Sequence, residues 1–150
     1  MPTYFDAWTE AEVRARIARL TPETARLWGT MNAHQMVCHL IDGFRVPLAE
    51  LAVAPRSNFL RFKPLRWLFV YLLPWPKGKI PTTREFKDTQ PGDFAADVAT
   101  WNAACDRFVA RGRDPEGSFG PHPTFGQLSR EEWGRLAYEH TCHHLRQFGV

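Results

Sequence analysis

The sequence contains no CxxC pair, no apolar run long enough to cross a bilayer and no large excess of one charge. Its three cysteines, Cys38, Cys105 and Cys142, are odd in number and far apart, which excludes a zinc ribbon, a thioredoxin-type redox pair and a disulfide-stapled miniprotein. They are read as reduced, partly buried thiols. The longest apolar stretch, Leu65 to Trp75, is about half of the ~20 residues a spanning helix needs, and Pro64 and Pro74 bracket it. The opening residues Met1-Pro2-Thr3-Tyr4-Phe5-Asp6 lack the basic and apolar regions of a signal peptide. A soluble, cytoplasmic protein without stable membrane insertion is expected. The net charge of +3, from 19 Lys+Arg against 16 Asp+Glu, is too small for a dedicated nucleic-acid binder, so no nucleic-acid partner is expected. Apolar and polar residues never alternate for more than four positions, which leaves strands without support.

What is present suits one domain over residues 1–150: 44% hydrophobic residues and 23% charged, with six Trp and eleven Phe to fill a core. A chain of this length buries roughly two-thirds of its unfolded surface and needs no covalent staples. Helix signals recur. Thr9 with Glu12 matches a capping box, and Val13, Ile17 and Leu20 follow at helical spacing until Thr21-Pro22. Asn32 with Gln35 opens a second helix, which Pro47 should kink or end. A third follows Pro91-Gly92-Asp93, with Phe94, Val98, Trp101, Cys105 and Phe108 on one face and Gly112 at its end. Ser129 with Glu132 opens the last. The pattern predicts an all-α fold with helices near 9–20, 32–50, 93–111 and 129–147. An extra short helix around Leu65–Leu73 lies in a long crossover between the second and third. Four principal helices joined in this way read as a four-helix bundle, with Trp101, Phe94, Phe108, Trp133 and Leu136 in one core.

Within the crossover, Arg56, Arg61, Lys63 and Arg66 interleave with Phe59, Leu60, Phe62 and Trp67. That is the composition of a membrane-surface helix. The favoured reading is that the rings cover an apolar groove while the cations reach water.

The chemistry concentrates in the last helix. At about 100° per residue, His140 and His144 fall in the middle of the stripe that holds Trp133, Leu136, Ala137 and Gln147, while Glu131, Arg135, Glu139 and Arg146 fall opposite. Two imidazoles one turn apart on an inward face are the spacing by which a helix chelates one metal ion. Two buried histidines can also share a hydrogen bond without metal, and on spacing alone the two readings stand level. His143 sits at the edge of the stripe. In the second helix the apolar face runs through Ala33, Met36, Leu40 and Phe44, and His39 falls beside it with Gln35 and Asp42. Periodicity leaves His39 either solvent-exposed or in a polar-lined cleft. His34 projects near Cys38 and Ile41, and His122, in a Gly/Pro-rich loop, is read as a surface residue.

WGTMNAHQMVCHL near the front and HPTFGQL…EEW…YEHTCHHLRQFGV at the end resemble the DinB-like helical metalloproteins, over about Ile17 to Val150. The resemblance implies a four-helix bundle that binds a divalent metal through one histidine of the second helix and an HxxxH pair of the last. Carried over, these ligands are His39, His140 and His144. It also implies metal-dependent thiol transferases or isomerases that use a low-molecular-weight thiol, although the superfamily includes members of unknown activity. Three imidazoles leave coordination positions open, as in catalytic rather than structural sites, and suit Zn, Ni or Fe. Gln35, His143 and Gln147 are the expected groups to orient the ligands or the substrate, and Asp42, one turn after His39, is the expected general base. The predicted function is therefore metal-dependent activation of a small thiol or of water for transfer to a small-molecule electrophile. The alternative is a non-catalytic metal- or ligand-binding bundle. Monomer and homodimer both stay open.

Overall fold

A computed structural model describes residues 1–56, 59–72 and 84–150. Among these residues the regular structure is helical: α1 (Ala7–Ile17), α2 (Ala33–Arg45), α3 (Lys63–Tyr71), α4 (Phe94–Arg113) and α5 (Arg130–Gln147), with short 3-10 turns at Phe59–Arg61 and Arg84–Lys87. The isolated bridge between His122 and Gly126 is not part of a strand. No described helix is long and apolar enough to cross a membrane. Residue 73 of the expected short helix, and the Pro/Lys/Gly-rich stretch that follows it, lie outside the described residues.

Two helix starts form as their sequences dictate. Asn32 Oδ1 accepts from the Gln35 amide while Gln35 Oε1 accepts from the Asn32 amide, and Ser129 and Glu132 repeat the exchange at α5. Each reciprocal pair satisfies two amides that a helix start otherwise leaves unpaired. Asp93 caps α4 through the Ala96 amide. The Thr9–Glu12 pair does not start α1. Asp6 occupies the cap position and Thr9 is buried inside the helix, where its hydroxyl cannot serve an end. α2 stops at Arg45 rather than near residue 50, because Pro47 cannot supply an amide to continue the ladder.

Gly112 does not end α4 either. It lies within the last turn, where a Cβ would overlap the Phe5 ring, and Gly134 of α5 meets the same ring from the other side. Phe5 is thereby wedged between α4 and α5, and its ring fills the space that a side chain at either glycine would need.

The helices share one apolar cluster containing Trp101, Phe108, Trp133 and Leu136, all buried, with Phe94 packed at its edge and half-buried. α2 is central. It packs against α4, against α5 and against the 3-10 turn at Arg84–Lys87, so it buries residues around most of its circumference, including His39 and Asp42. That turn covers the stripe which periodicity alone could not assign. α3 leans on α5 through Val70, Phe69 and Tyr71, but Phe59, Phe62 and Trp67 stay exposed. The expectation that these rings cover an apolar groove is corrected: the helix turns Arg66, Phe69 and Val70 inward, and Trp67, stacked on Tyr71 at the flank, stays half-exposed.

Candidate metal centre

Three imidazoles meet where α2 faces α5. His140 and His144 are one turn apart on α5, and His39 reaches them from α2. His140 Nε2 lies 3.0 Å from His39 Nε2 and 3.2 Å from His144 Nε2. The rings stand nearly perpendicular to one another, with centroids 4.8–4.9 Å apart. Their edges, not their faces, point to a common centre.

The partners on the far side of two rings decide where the protons are. His39 Nδ1 is 2.9 Å from the Phe86 carbonyl oxygen, which can only accept, so His39 carries its proton on Nδ1 and leaves Nε2 as a bare lone pair. His144 Nδ1 is 2.9 Å from Gln147 Oε1. The Gln147 amide is itself oriented, because its Nε2 donates to the Trp28 carbonyl at 2.7 Å. His144 is therefore also protonated on Nδ1 and bare on Nε2. Between three converging nitrogens there is at most one proton, that of His140, and it must serve two contacts. A metal-free hydrogen-bonded pair, level with a metal site on spacing alone, leaves a buried lone pair unsatisfied in this arrangement.

Electrostatics act in the same direction. Burial, then the neighbouring His144 and His39 rings, holds His140 well below the ordinary imidazole range. Burial, then His39, pushes His144 down to about 3, and burial lowers His39 against the opposing effect of its bond to Phe86. Neutral imidazoles are what a cation requires. Donors bound to one ion at about 2.0–2.1 Å lie about 2.9–3.4 Å apart for angles between octahedral and tetrahedral. The His140–His39 and His140–His144 separations of 3.0 and 3.2 Å fall in that interval. The cluster His39, His140 and His144 could hold a metal ion.

A second group, His34, Cys38 and Asp97, has the donor types but not the deficit. Asp97 Oδ2 accepts from His34 Nε2 at 2.6 Å and from the Gly92 amide at 2.9 Å, with the Cys38 thiol at 3.8 Å. The Gly92 amide, then the His34 ring, holds the Asp97 carboxyl below its usual range. Burial, then Asp97, pushes the Cys38 thiol up to about 12. This is a closed hydrogen-bonded cluster with a protonated thiol.

The remaining sequence-predicted residues take distinct places. Gln147 bridges His144 to the Trp28 carbonyl. Asp42 is fully buried with both oxygens occupied: Oδ1 accepts from the Thr89 hydroxyl at 2.6 Å and Arg45 Nη1 at 3.0 Å, and Oδ2 accepts from the Thr89 amide at 3.0 Å. Thr89 lies on the segment that follows the 3-10 turn carrying Phe86, and Arg45 on α2 itself. His143 lies between Trp28 and His144, with ring centroids 6.2 and 5.2 Å away, outside the converging set. Gln35 is exposed and lines a cavity of about 280 Å³ with Met31, His39, Phe86, Lys87 and Thr89. Of the three histidines His39 lines this cavity.

His122 is not the surface residue its loop suggested. Its Nδ1 accepts from the Thr124 and Phe125 amides at 3.0 and 3.2 Å, its ring packs on Trp133, and burial pushes it down to about 3. The Phe86 and Trp28 carbonyls, which orient the ring of His39 and the amide of Gln147, carry no sequence signal, because any residue type supplies a carbonyl. Gly29, whose φ of +81° marks the turn beside Trp28, is the one trace of that arrangement in the sequence.

The family model "Protein of unknown function (DUF1569)" matches residues 5–149, and the chain belongs to this family. No curated protein and no solved structure matches the chain.

Proposed function

We propose that this member of the DUF1569 family is a divalent-metal-dependent enzyme of the DinB-like type, a single four-helix-bundle domain that activates a small thiol for transfer to a small electrophile. The observation that carries the reading is the convergence of three imidazole Nε2 atoms, two of them, on His39 and His144, held as lone pairs from behind by Phe86 and Gln147. His39, His140 and His144 would hold the cation, and the cavity at His39 would admit the substrate. A divalent cation there supplies Lewis acidity that makes a thiolate or hydroxide available near neutral pH.

The chain's own groups do the positioning. Gln147 keeps the His144 lone pair aimed inward, and the Phe86 carbonyl does the same for His39. In this reading Asp42 is not the base. Its oxygens are filled by Thr89 and Arg45, so it anchors the segment that presents Phe86. The resemblance of the sequence to DinB-like proteins, among which thiol transferases occur, favours a thiol over water. Met31 and Phe86 give the cavity apolar walls, while Lys87 and Gln35 offer one cation and one amide to a polar substituent.

The second reading, a non-catalytic metal-binding bundle, shares the ligand set and lacks turnover. Elemental analysis of the purified protein, followed by thiol–electrophile assays on apo and metal-restored samples, separates the two. Thiol conjugation that chelation abolishes and Zn, Ni or Fe restores supports the enzyme. Stoichiometric metal without turnover on any thiol supports the binding protein. Full metal content in a His140→Ala, His144→Ala double variant removes the basis of both.

A further inference from the structure

The surface formed by the 3-10 turn Phe59–Arg61 and α3 plays no part in the histidine site. On α3 the residues at i, i+3 and i+4 from Arg66 face the protein: Val70 is buried, Phe69 packs against the core, and Arg66 Nε donates to Glu132 at 3.0 Å. Lys63 and Trp67, one turn apart, are exposed beside this face, with Phe62 and Phe59 just before the helix and Leu72 just after it. Phe59 is 70% exposed, Phe62 65%, Trp67 50% and Leu72 53%. Four large apolar side chains exposed within fourteen residues form a patch that isolated surface hydrophobes do not explain.

The sequence around the patch is basic. Residues 51–83 contain six Lys or Arg and no Asp or Glu. On the described face Arg61 and Lys63 are exposed beside the rings. Among the described residues, acids of the start of α5 lie near the patch: Glu132 is engaged by Arg66, and burial and then Glu131 raise the Tyr71 phenol. A second copy of this chain docked here about a two-fold axis would bring like charge against like charge. Trp and Phe interleaved with Lys and Arg, outside any spanning helix, match the requirements of an anionic lipid surface.

We propose that this face docks peripherally on an anionic membrane, with Phe59, Phe62 and Trp67 entering the boundary between headgroups and acyl chains while Arg61 and Lys63 meet lipid phosphates. Docking there leaves the His39 cavity to other residues, so the proposal stands apart from the catalytic reading.

The test is co-sedimentation of the full metal-loaded chain with vesicles of phosphatidylglycerol and phosphatidylcholine in equal parts, against phosphatidylcholine alone. Binding is expected only to the mixed vesicles, weakening about ten-fold or more as added salt shortens the Debye length from about 10 to about 3 Å. Lys63→Glu and the pair Phe62→Ser, Trp67→Ser should each lower binding at least about ten-fold. Their metal content should not change, and the unfolding temperature of Lys63→Glu should stay at that of the wild type, since Lys63 is exposed. Trp67→Phe should keep binding but lose part of the blue shift in tryptophan emission. Equal binding to neutral vesicles, no binding at low salt, or binding unaffected by both variants overturns the proposal. A concentration-dependent dimer that Phe62→Ser, Trp67→Ser dissolves, without vesicle binding, overturns it in favour of a second copy.

Discussion

His144 donates its Nδ1 proton to the Gln147 amide oxygen 2.9 Å away, three residues later on the same helix. Gln147 in turn donates to the Trp28 carbonyl, so a backbone atom far away in sequence sets which nitrogen of His144 faces the cluster. The outer partner of a ligating histidine fixes its tautomer and ring orientation.

Replacing Gln147 by Ala should therefore weaken metal binding by roughly ten- to a hundred-fold without removing a ligand. Gln147→Glu keeps an acceptor for His144 but loses the donor to Trp28, and should fall between Ala and wild type. Competition titration against a chromophoric chelator reads the difference.

Gly29→Ala should act on the same chain of contacts from its far end. The backbone there has φ +81°, which disfavours a Cβ, and an added methyl would overlap Gln147 Nε2. We expect a stability loss of about 1 kcal/mol or more together with weakened metal binding. If unfolding temperature falls while metal affinity holds, Gln147 is not being positioned by this turn.

The contrast between legible and hidden parts follows from range. The Asn32–Gln35 and Ser129–Glu132 boxes are local, and both helices start there. The inward stripe with His140 and His144 is likewise a property of one helix. His39 was ambiguous because its burial depends on a 3-10 turn about 45 residues away, and the resemblance to DinB-like proteins, not periodicity, placed it with the pair. Gly112 has the look of a stop signal, whereas it is kept small by Phe5, a contact between distant segments. The Thr9–Glu12 pair has the spacing of a cap but lies inside its helix.

Acid should destabilise the metal-free protein. Native His122 and His144 are depressed to about 3, against about 6.5 when unfolded, so in that window the unfolded chain binds more protons. Their contribution is complete above about pH 6.5 and is lost as pH falls towards 3, at up to about 1.4 kcal/mol per unit for each group. Thermal unfolding in chelator, followed from pH 7 to 4, should show this decline. His122→Asn, which keeps an acceptor for the Thr124 and Phe125 amides but does not titrate, should make it shallower.

Gly112→Ala and Gly134→Ala should each cost about 1–3 kcal/mol, because a methyl group must displace the Phe5 ring. Trimming that ring supplies the control. In a Phe5→Leu background the added cost of Gly112→Ala should shrink, and the coupling energy from a double-mutant cycle measures the contact. Additive effects would mean that Phe5 is not what keeps these positions glycine.

Asp42→Asn distinguishes a base from an anchor. A base removed by this isosteric change would lower kcat while leaving unfolding temperature and metal affinity near wild type. An anchor behaves differently. The Asn side chain offers one acceptor oxygen where Asp42 uses two, so either the Thr89 amide or the Thr89 hydroxyl and Arg45 then face an amide donor. Leaving such a group unsatisfied in a fully buried place costs about 1–3 kcal/mol. The segment around Thr89 follows the turn whose Phe86 carbonyl holds His39, so loosening it should also weaken metal binding. We expect unfolding temperature and metal affinity to fall together, with kcat per bound metal largely retained. A selective loss of kcat would return the catalytic role to Asp42.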